Sequence, residues 1–361
     1  MKTDLLLDSN PFEFSSYSNE LFFESLKETA LIHYSNNNYF KFLWDKHNIH
    51  PLDINSQFDL SALPYTMVNL FKEFDIFSGA KEDIKLTLGS SGTSGQRSQI
   101  HLNQESLDRV KKLAYNIHDK LGITSSKKYN YICFTYDPNV ANDLGTAFTD
   151  ELLTNFTDKK EVFYTFKFGE SGFYFDEEST VNKLIEFSKS GYSTRILGFP
   201  AFLYETLSKY NLSLEFDDDS WVQTGGGWKG KADIEIPKAE FREFVSKRLN
   251  IPISNIRDLF GMVEHGIPYV DCPKGKLRVP NYSRVLIRDP RTMKLLGYNE
   301  VGLVQFICTY NTSYPAINLL TTDYGLVTSE PDGLGDSLKI IGRAGVSKNK
   351  GCALKAMEML K

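Results

Sequence analysis

The chain has 361 residues, 41% of them hydrophobic and 24% charged, with a formal net charge of −5. That length can bury a large core in one large α/β domain or about two smaller ones. The balance excludes a nucleic-acid footprint, which needs a clustered basic face, and no apolar run approaches the ~20 residues of a membrane span. The apolar stretch near Met1 is too short for a secretory signal and is flanked by acids. The four cysteines, Cys133, Cys272, Cys308 and Cys352, are scattered without a C-x-x-C pair. They read as free thiols, and the expectation is a cytoplasmic protein.

Residues 18–50 place aromatics at helical spacing, as in Tyr39-Phe-Lys-Phe-Leu-Trp44, which predicts core-facing helices. His47 and His50 within this stretch lack a third ligand nearby and do not by themselves make a metal site. A short β-prone run, Ile84–Leu88, then leads into Gly89-Ser-Ser-Gly-Thr-Ser-Gly95, Gln96 and Arg97, with a helix-like segment from about Asn103. Glycines there admit a ligand close to the backbone, hydroxyls add donors and Arg97 adds charge, so Ser90, Ser91, Gly92, Thr93, Ser94, Gly95 and Arg97 form a candidate polyphosphate cradle. The pattern is neither a Walker A loop nor a nucleophile elbow.

Beyond this loop strands alternate with helices. Strands are predicted at 129–136, 161–166, 194–199 and 221–224, and helices at 180–188 and 201–208. This order argues for an α/β fold with a largely parallel sheet. Gly225, Gly226 and Gly227 follow the strand at 221–224, at the carboxyl end of the sheet where ligands bind in open α/β folds. Residues 284–288, 302–308 and 338–341 read as strands of an added β-rich subdomain. The expected organisation is an N-terminal helical segment at 1–83, a nucleotide-binding core at 84–283, the β-rich subdomain at 284–343 and a short tail at 344–361.

Five segments, in order, resemble motifs of the adenylate-forming superfamily of acyl-CoA synthetases, adenylation domains and luciferases. Ser90–Gly95 resembles its phosphate loop, with Arg97-Ser98 where Pro-Lys is usual. Gly225–Gly227 resembles the turn that lines the adenine pocket. Asp258-Leu-Phe-Gly-Met-Val-Glu-His-Gly266 resembles the Tyr-Gly-x-Thr-Glu motif, with Phe260 for tyrosine and Val263 for threonine. The resemblance implies that Phe260 stacks on adenine, Gly261 lets the backbone pass the nucleotide and Glu264 holds Mg²⁺. His265 is either a packing or a site residue. Thr321-Thr-Asp323 resembles the [ST]-G-D segment, implying a ribose contact for Asp323, and Gly342-Arg343 resembles the hinge, implying a ribose or phosphate contact for Arg343. The implied fold is the superfamily's N-terminal-domain type, with parallel and mixed sheets flanked by helices and a β-rich subdomain.

Full-length members continue past that hinge into a mobile C-terminal domain carrying a catalytic lysine, whereas eighteen residues follow Arg343 here. The expectation is therefore a chain without that domain, with Lys229 or Lys355 as candidate replacements for the lysine. Cys352 lies among Lys348, Lys350 and Lys355, cations that favour thiolate. This tail resembles that of the LuxE-type acyl-protein synthetases of bacterial bioluminescence. The resemblance implies ATP-dependent activation of a carboxylic, fatty, acid as acyl-AMP, a thioester on Cys352, and transfer to an acyl-CoA reductase-type partner or other acceptor. Two alternatives stand beside it: a CoA ligase of the phenylacetate type, and a catalytically impaired nucleotide-binding scaffold.

Overall fold

The computed structural model describes residues 1–90, 97–141, 145–170, 172–228, 231 and 234–343. By contact the chain divides into two units. The first comprises residues 1–120, 262–269 and the segment from 278 onward; the second comprises 121–261 and 270–277. The chain thus leaves the first unit twice, at 121 and at 270, and returns to it each time. The boundary drawn at residue 83 from sequence falls inside the first unit, because the hairpin and helix of 84–120 pack with the N-terminal helices.

The second unit is an apolar parallel sheet. Its strands run in the order Ile256–Phe260, Trp221–Gly225, Thr194–Gly198, Lys128–Tyr136 and Asp158–Gly169, all parallel, with Gly172–Phe175 added antiparallel at one edge. Thr194–Gly198 is buried at every position, as expected of a strand covered on both faces. Helices Glu177–Ser188, Pro200–Lys209 and Lys238–Leu249 cover the sheet. Ile132, Phe134, Leu184, Ile196, Leu203, Val222, Val245 and Ile256 belong to one buried cluster. Pro200 sits in the first turn of its helix, where the missing N–H costs nothing. The strand at 256–260 and the helix at 238–249 were not anticipated; the helix's polar sequence, Lys-Ala-Glu-Phe-Arg-Glu, hides its few apolar anchors.

The first unit is built differently. Its antiparallel sheet runs Ser283–Arg288, Gly302–Cys308, Asn318–Thr328, Ser337–Arg343, with the two-residue strand Thr66–Met67 parallel to Asn318–Thr328. Helices Lys2–Asp8, Ser16–Asn36, Asn38–Lys46 and Gln104–Lys120 belong to the same unit. A separate hairpin pairs Ile84–Gly89 with Gln99–Asn103. The strand Gln99–Asn103 stands before the helix Gln104–Lys120, which begins where the sequence places it, at about Asn103. Asn103 opens that helix, its side chain accepting from the Ser106 N–H at 2.8 Å, as an N-cap does.

Helices and hairpin grip one irregular segment, Thr309–Tyr314, through buried polar contacts. The Thr29 hydroxyl donates to the Thr309 carbonyl at 2.6 Å, and Ser78 N–H to the Ser313 carbonyl at 2.6 Å. His33 bridges Ser78 Oγ at 2.8 Å and the Asn311 carbonyl at 2.9 Å. Asn103 N–H donates to Ser313 Oγ at 2.8 Å, and Thr312 N–H to Ser106 Oγ at 2.9 Å. A buried loop must satisfy its backbone groups somewhere, and here the N-terminal third of the chain satisfies them. Among the described residues no helix is long and apolar enough to cross a membrane. Cys133, Cys272 and Cys308 are free and buried.

Candidate functional site

In the first unit, Glu264, Asp323 and Arg343 come together with Ser98, which follows the serine and glycine loop. The loop's hairpin is closed where Ser90 N–H donates to the Ser98 carbonyl at 2.9 Å and Ser98 N–H to Ser90 Oγ at 3.0 Å. Ser98 is fully buried, whereas Arg97 beside it is exposed. Ser91–Gly95 lie outside the described residues, as do Lys229, Cys352 and Lys355.

Glu264 is 5% exposed. Burial pushes its carboxyl above the usual range. The Ser98 hydroxyl, its own backbone N–H and the charge of Arg343 pull it back, while Asp323 pushes it further up. Taken from sequence alone Glu264 reads as readily as a solvated surface acid; the structure makes it a buried one. Asp323 and Arg343 face each other across two neighbouring strands. Arg343 Nε donates to Asp323 Oδ1 at 2.9 Å. Burial lowers the Arg343 guanidinium, but the pairing with Asp323 and the field of Glu264 outweigh it and raise the net value. Arg343 remains 56% exposed at the side chain while Asp323 is buried, so the guanidinium reaches outward from a held base. Ser98, Glu264, Asp323 and Arg343 thus form one electrostatic group, two acids to one cation, at the exit of the serine and glycine loop.

The position of Glu264 is enforced by its neighbours. Gly266 has φ +76°, and a Cβ there would lie 1.9 Å from the Tyr310 hydroxyl, so only glycine fits. The Tyr314 hydroxyl donates to the Val263 carbonyl at 3.3 Å. His265 is 1% exposed and stacks on Phe306 at 4.6 Å between ring centroids. Its Nε2 pairs with the Tyr269 hydroxyl at 2.9 Å, and burial depresses it to about 3. It is a neutral histidine in an aromatic stack, with Nδ1 lacking a partner among the described residues. The ring packs in the aromatic stack next to Glu264, and burial disfavours its taking up a second proton.

In the second unit the predicted residues are matters of backbone shape. Gly226 and Gly227 both have positive φ, +76° and +69°, and both follow the strand Trp221–Gly225 at its carboxyl end. Gly225 lies opposite Leu259 in register, and a Cβ on it would meet the Leu259 carbonyl at 3.2 Å. Trp228 fixes the far side of the turn, with its ring 5.6 Å from Tyr204 and 5.9 Å from Phe241. Phe260 ends the neighbouring strand, half-buried, and Gly261 follows it.

A clasp that sequence reading missed holds that strand. Asp271 is fully buried. Its Oδ2 accepts from the Asp258 N–H at 2.8 Å and its Oδ1 from Lys238 Nζ at 2.7 Å. Burial pushes the Asp271 carboxyl up, and the Lys238 ammonium pulls it back. Lys238 and Asp271 are 33 positions apart, so no local signal marks them.

No group of three or more His, Cys, Asp or Glu able to hold a metal ion exists among the described residues. His47 and His50 make local contacts, to the Leu43 carbonyl and the Leu52 N–H. A buried single carboxylate such as Glu264 fits the way Mg²⁺ is held, by one or two carboxylates together with substrate phosphates.

Among solved structures, an open-conformation 2-hydroxyisobutyryl-CoA ligase, in complex with 2-HIB-AMP and CoA, matches 93% of this chain and 78% of its own at 15% identity, with a TM-score of 0.69. A postadenylation structure of the same ligase covers 93% of this chain and 71% of its own at 13% identity, also with a TM-score of 0.69. These likenesses establish the fold. Two curated relatives are long-chain-fatty-acid–luciferin-component ligases. The one from Aliivibrio fischeri is 25% identical over 99% of this chain and 93% of its own length. The one from Vibrio harveyi is 25% identical over 82% of this chain and 78% of its own. The family model for acyl-protein synthetase, LuxE, matches residues 2–361, and the chain belongs to that family of acyl-activating ligases.

Proposed function

We propose that this ligase activates a long-chain fatty acid with ATP and carries the acyl group as a thioester on Cys352 before passing it to a protein acceptor. The observation that carries the first step is the charge group of buried Glu264 and Asp323 with the outward-reaching Arg343, beside the pairing of Ser90 with Ser98. Attack of the acid's carboxylate on the α-phosphorus forms an O–P bond and breaks the bond to pyrophosphate. The transition state concentrates negative charge, so fixed donors and cations placed beforehand lower its energy. In this reading Ser90–Gly95 and Arg97 take the phosphates, Asp323 accepts from the ribose hydroxyls, and Arg343 donates to ribose or phosphate. Gly225–Gly227 and Phe260 serve the adenine, the turn by close backbone approach and the ring by stacking. Glu264 would hold Mg²⁺, which when bound offsets phosphate charge. The family relationship and the 25%-identical fatty-acid ligases support the choice of acid.

In the second step the Cys352 thiolate attacks the carbonyl of the mixed anhydride. A C–S bond forms, the C–O bond to phosphate breaks and AMP leaves. Lys229 and Lys355 are the candidates for the cation that assists adenylation, and an acyl-CoA reductase-type protein is the candidate acceptor. Intact-protein mass spectrometry after incubation with ATP, Mg²⁺ and mixed fatty acids tests this. The expected result is an acyl adduct on the peptide containing Cys352, absent from Cys352→Ala. CoA thioester formed at full rate by Cys352→Ala would instead make the protein a CoA ligase.

A further inference from the structure

A side-chain cluster on the loop's own hairpin has no part in the reading above. Thr87 and His101 oppose each other on the strands Ile84–Gly89 and Gln99–Asn103. The Thr87 hydroxyl and His101 Nδ1 are 2.8 Å apart. The other ring nitrogen, Nε2, lies 2.6 Å from Asp75 Oδ1. A carboxylate only accepts, so in the neutral ring Nε2 carries the proton and donates to Asp75. Nδ1 is then the acceptor, and the Thr87 hydroxyl donates to it.

Hydroxyl, imidazole and carboxylate in this order form the arrangement that activates an oxygen nucleophile. The base takes the proton as the hydroxyl attacks, and the carboxylate fixes the tautomer and stabilises the imidazolium. The strands are already joined by their backbone ladder. Asp75 comes from outside the hairpin and sets which nitrogen faces the hydroxyl. The ring is held, 8% exposed, with Phe77 edge-on at 6.2 Å. Lys81 Nζ stands 3.9 Å from Asp75 Oδ2. The hairpin buries Leu88, Ile100 and Leu102, whereas the Asp75 side chain is 53% exposed and Thr87 is half-buried. The cluster therefore opens to solvent.

We propose that Thr87 is a second acyl-accepting nucleophile, with His101 as its base and Asp75 as the orienting carboxylate, acting on activated acyl esters. Oγ1 forms a bond to the acyl carbon and its proton passes to Nδ1. The bond to the leaving oxygen breaks, and that oxygen takes the proton from the imidazolium. Water, with His101 again as base, then releases the acid and restores Thr87. The acyl chemistry is that of the proposed function, but the test needs no ATP. The full chain is incubated with p-nitrophenyl octanoate, p-nitrophenolate release is followed, and acylated peptides are mapped by mass spectrometry.

An octanoyl adduct on the Thr87 peptide is expected. Release should fall at least ~100-fold in Thr87→Val and His101→Gln, the scale of a lost nucleophile or general base, and persist in Thr87→Ser. Thermal unfolding of each variant reports its fold, and Thr87→Ser restores the hydroxyl where Thr87→Val is unstable. No adduct on Thr87 in the wild-type chain, or wild-type release by Thr87→Val, overturns the proposal and leaves a tie between strands. Loss of acid-dependent pyrophosphate exchange is a separate result that bears on adenylation alone.

Discussion

The two units supply different things. The second is an apolar parallel sheet whose candidate residues are matters of backbone: a turn of glycines at positive φ and a strand end carrying Phe260. The first is an antiparallel sheet and helices threaded with buried polar groups, and its candidate residues carry charge: Glu264, Asp323 and Arg343. Shape can be kept cheaply by apolar packing. Buried charge cannot, since an unpaired ion in the interior costs several kcal/mol. The first unit accordingly spends many hydrogen bonds on holding Thr309–Tyr314 and the segment around Glu264. All six histidines of the chain also lie in the first unit.

The sharpest way to break this division is Glu264→Gln. It keeps volume and removes charge, so adenylate formation, measured by pyrophosphate exchange, should fall ~100- to 1,000-fold while the fold survives. Because burial raises the Glu264 carboxyl, divalent cation binding there should weaken as pH falls and protons compete for the carboxylate. Wild-type exchange in the variant would remove Glu264 from the charged half of the site.

Next in size is a pair of glycine substitutions, one per unit. Gly266→Ala puts a Cβ against the Tyr310 hydroxyl and should cost ~3 kcal/mol of unfolding free energy. Gly227→Ala, with open space around the new Cβ, meets only the positive-φ penalty and should cost ~1 kcal/mol. Denaturant unfolding measures both, and equal losses would contradict the assignment of rigid packing to the first unit. Asp323→Asn should raise KM for ATP ~10- to 100-fold, the scale of a hydrogen bond to a charged group. A change confined to kcat would argue against ribose as its partner.

The last effect, absent near neutral pH, is acid sensitivity. Burial holds His33 down to about 4 and His265 to about 3, against about 6.5 in an unfolded chain. Between those values the unfolded chain binds the extra protons, so stability is full above ~6.5 and falls as pH drops toward 4, by up to ~1.4 kcal/mol per pH unit per histidine. His265→Phe should flatten that slope by one histidine's share. An unchanged slope would mean that the ring is not held neutral.

Legibility in the sequence follows the same division. The apolar strands at 129–136, 194–198 and 221–225 and the glycine turn after them carry local signals, alternation or burial and φ > 0, and were readable. Motif order singles out Glu264, Asp323 and Arg343 as candidates. Their state was not readable, because it depends on partners far along the chain: Asp323 meets Arg343 20 positions away, and Asp75 meets His101 26 away. The return strand Gln99–Asn103 was missed because five residues beside a helix start carry too little pattern. Asp258 stood in the motif, but the clasp that fixes it needed Asp271 and Lys238 brought together by the fold.

The most direct test of the central claim is acid-dependent exchange of pyrophosphate into ATP by the full chain with a series of fatty acids. Exchange stimulated by long-chain acids, and lost in Glu264→Gln, is the predicted result. ATP binding without exchange for any acid would contradict the account and make the protein a nucleotide-binding scaffold.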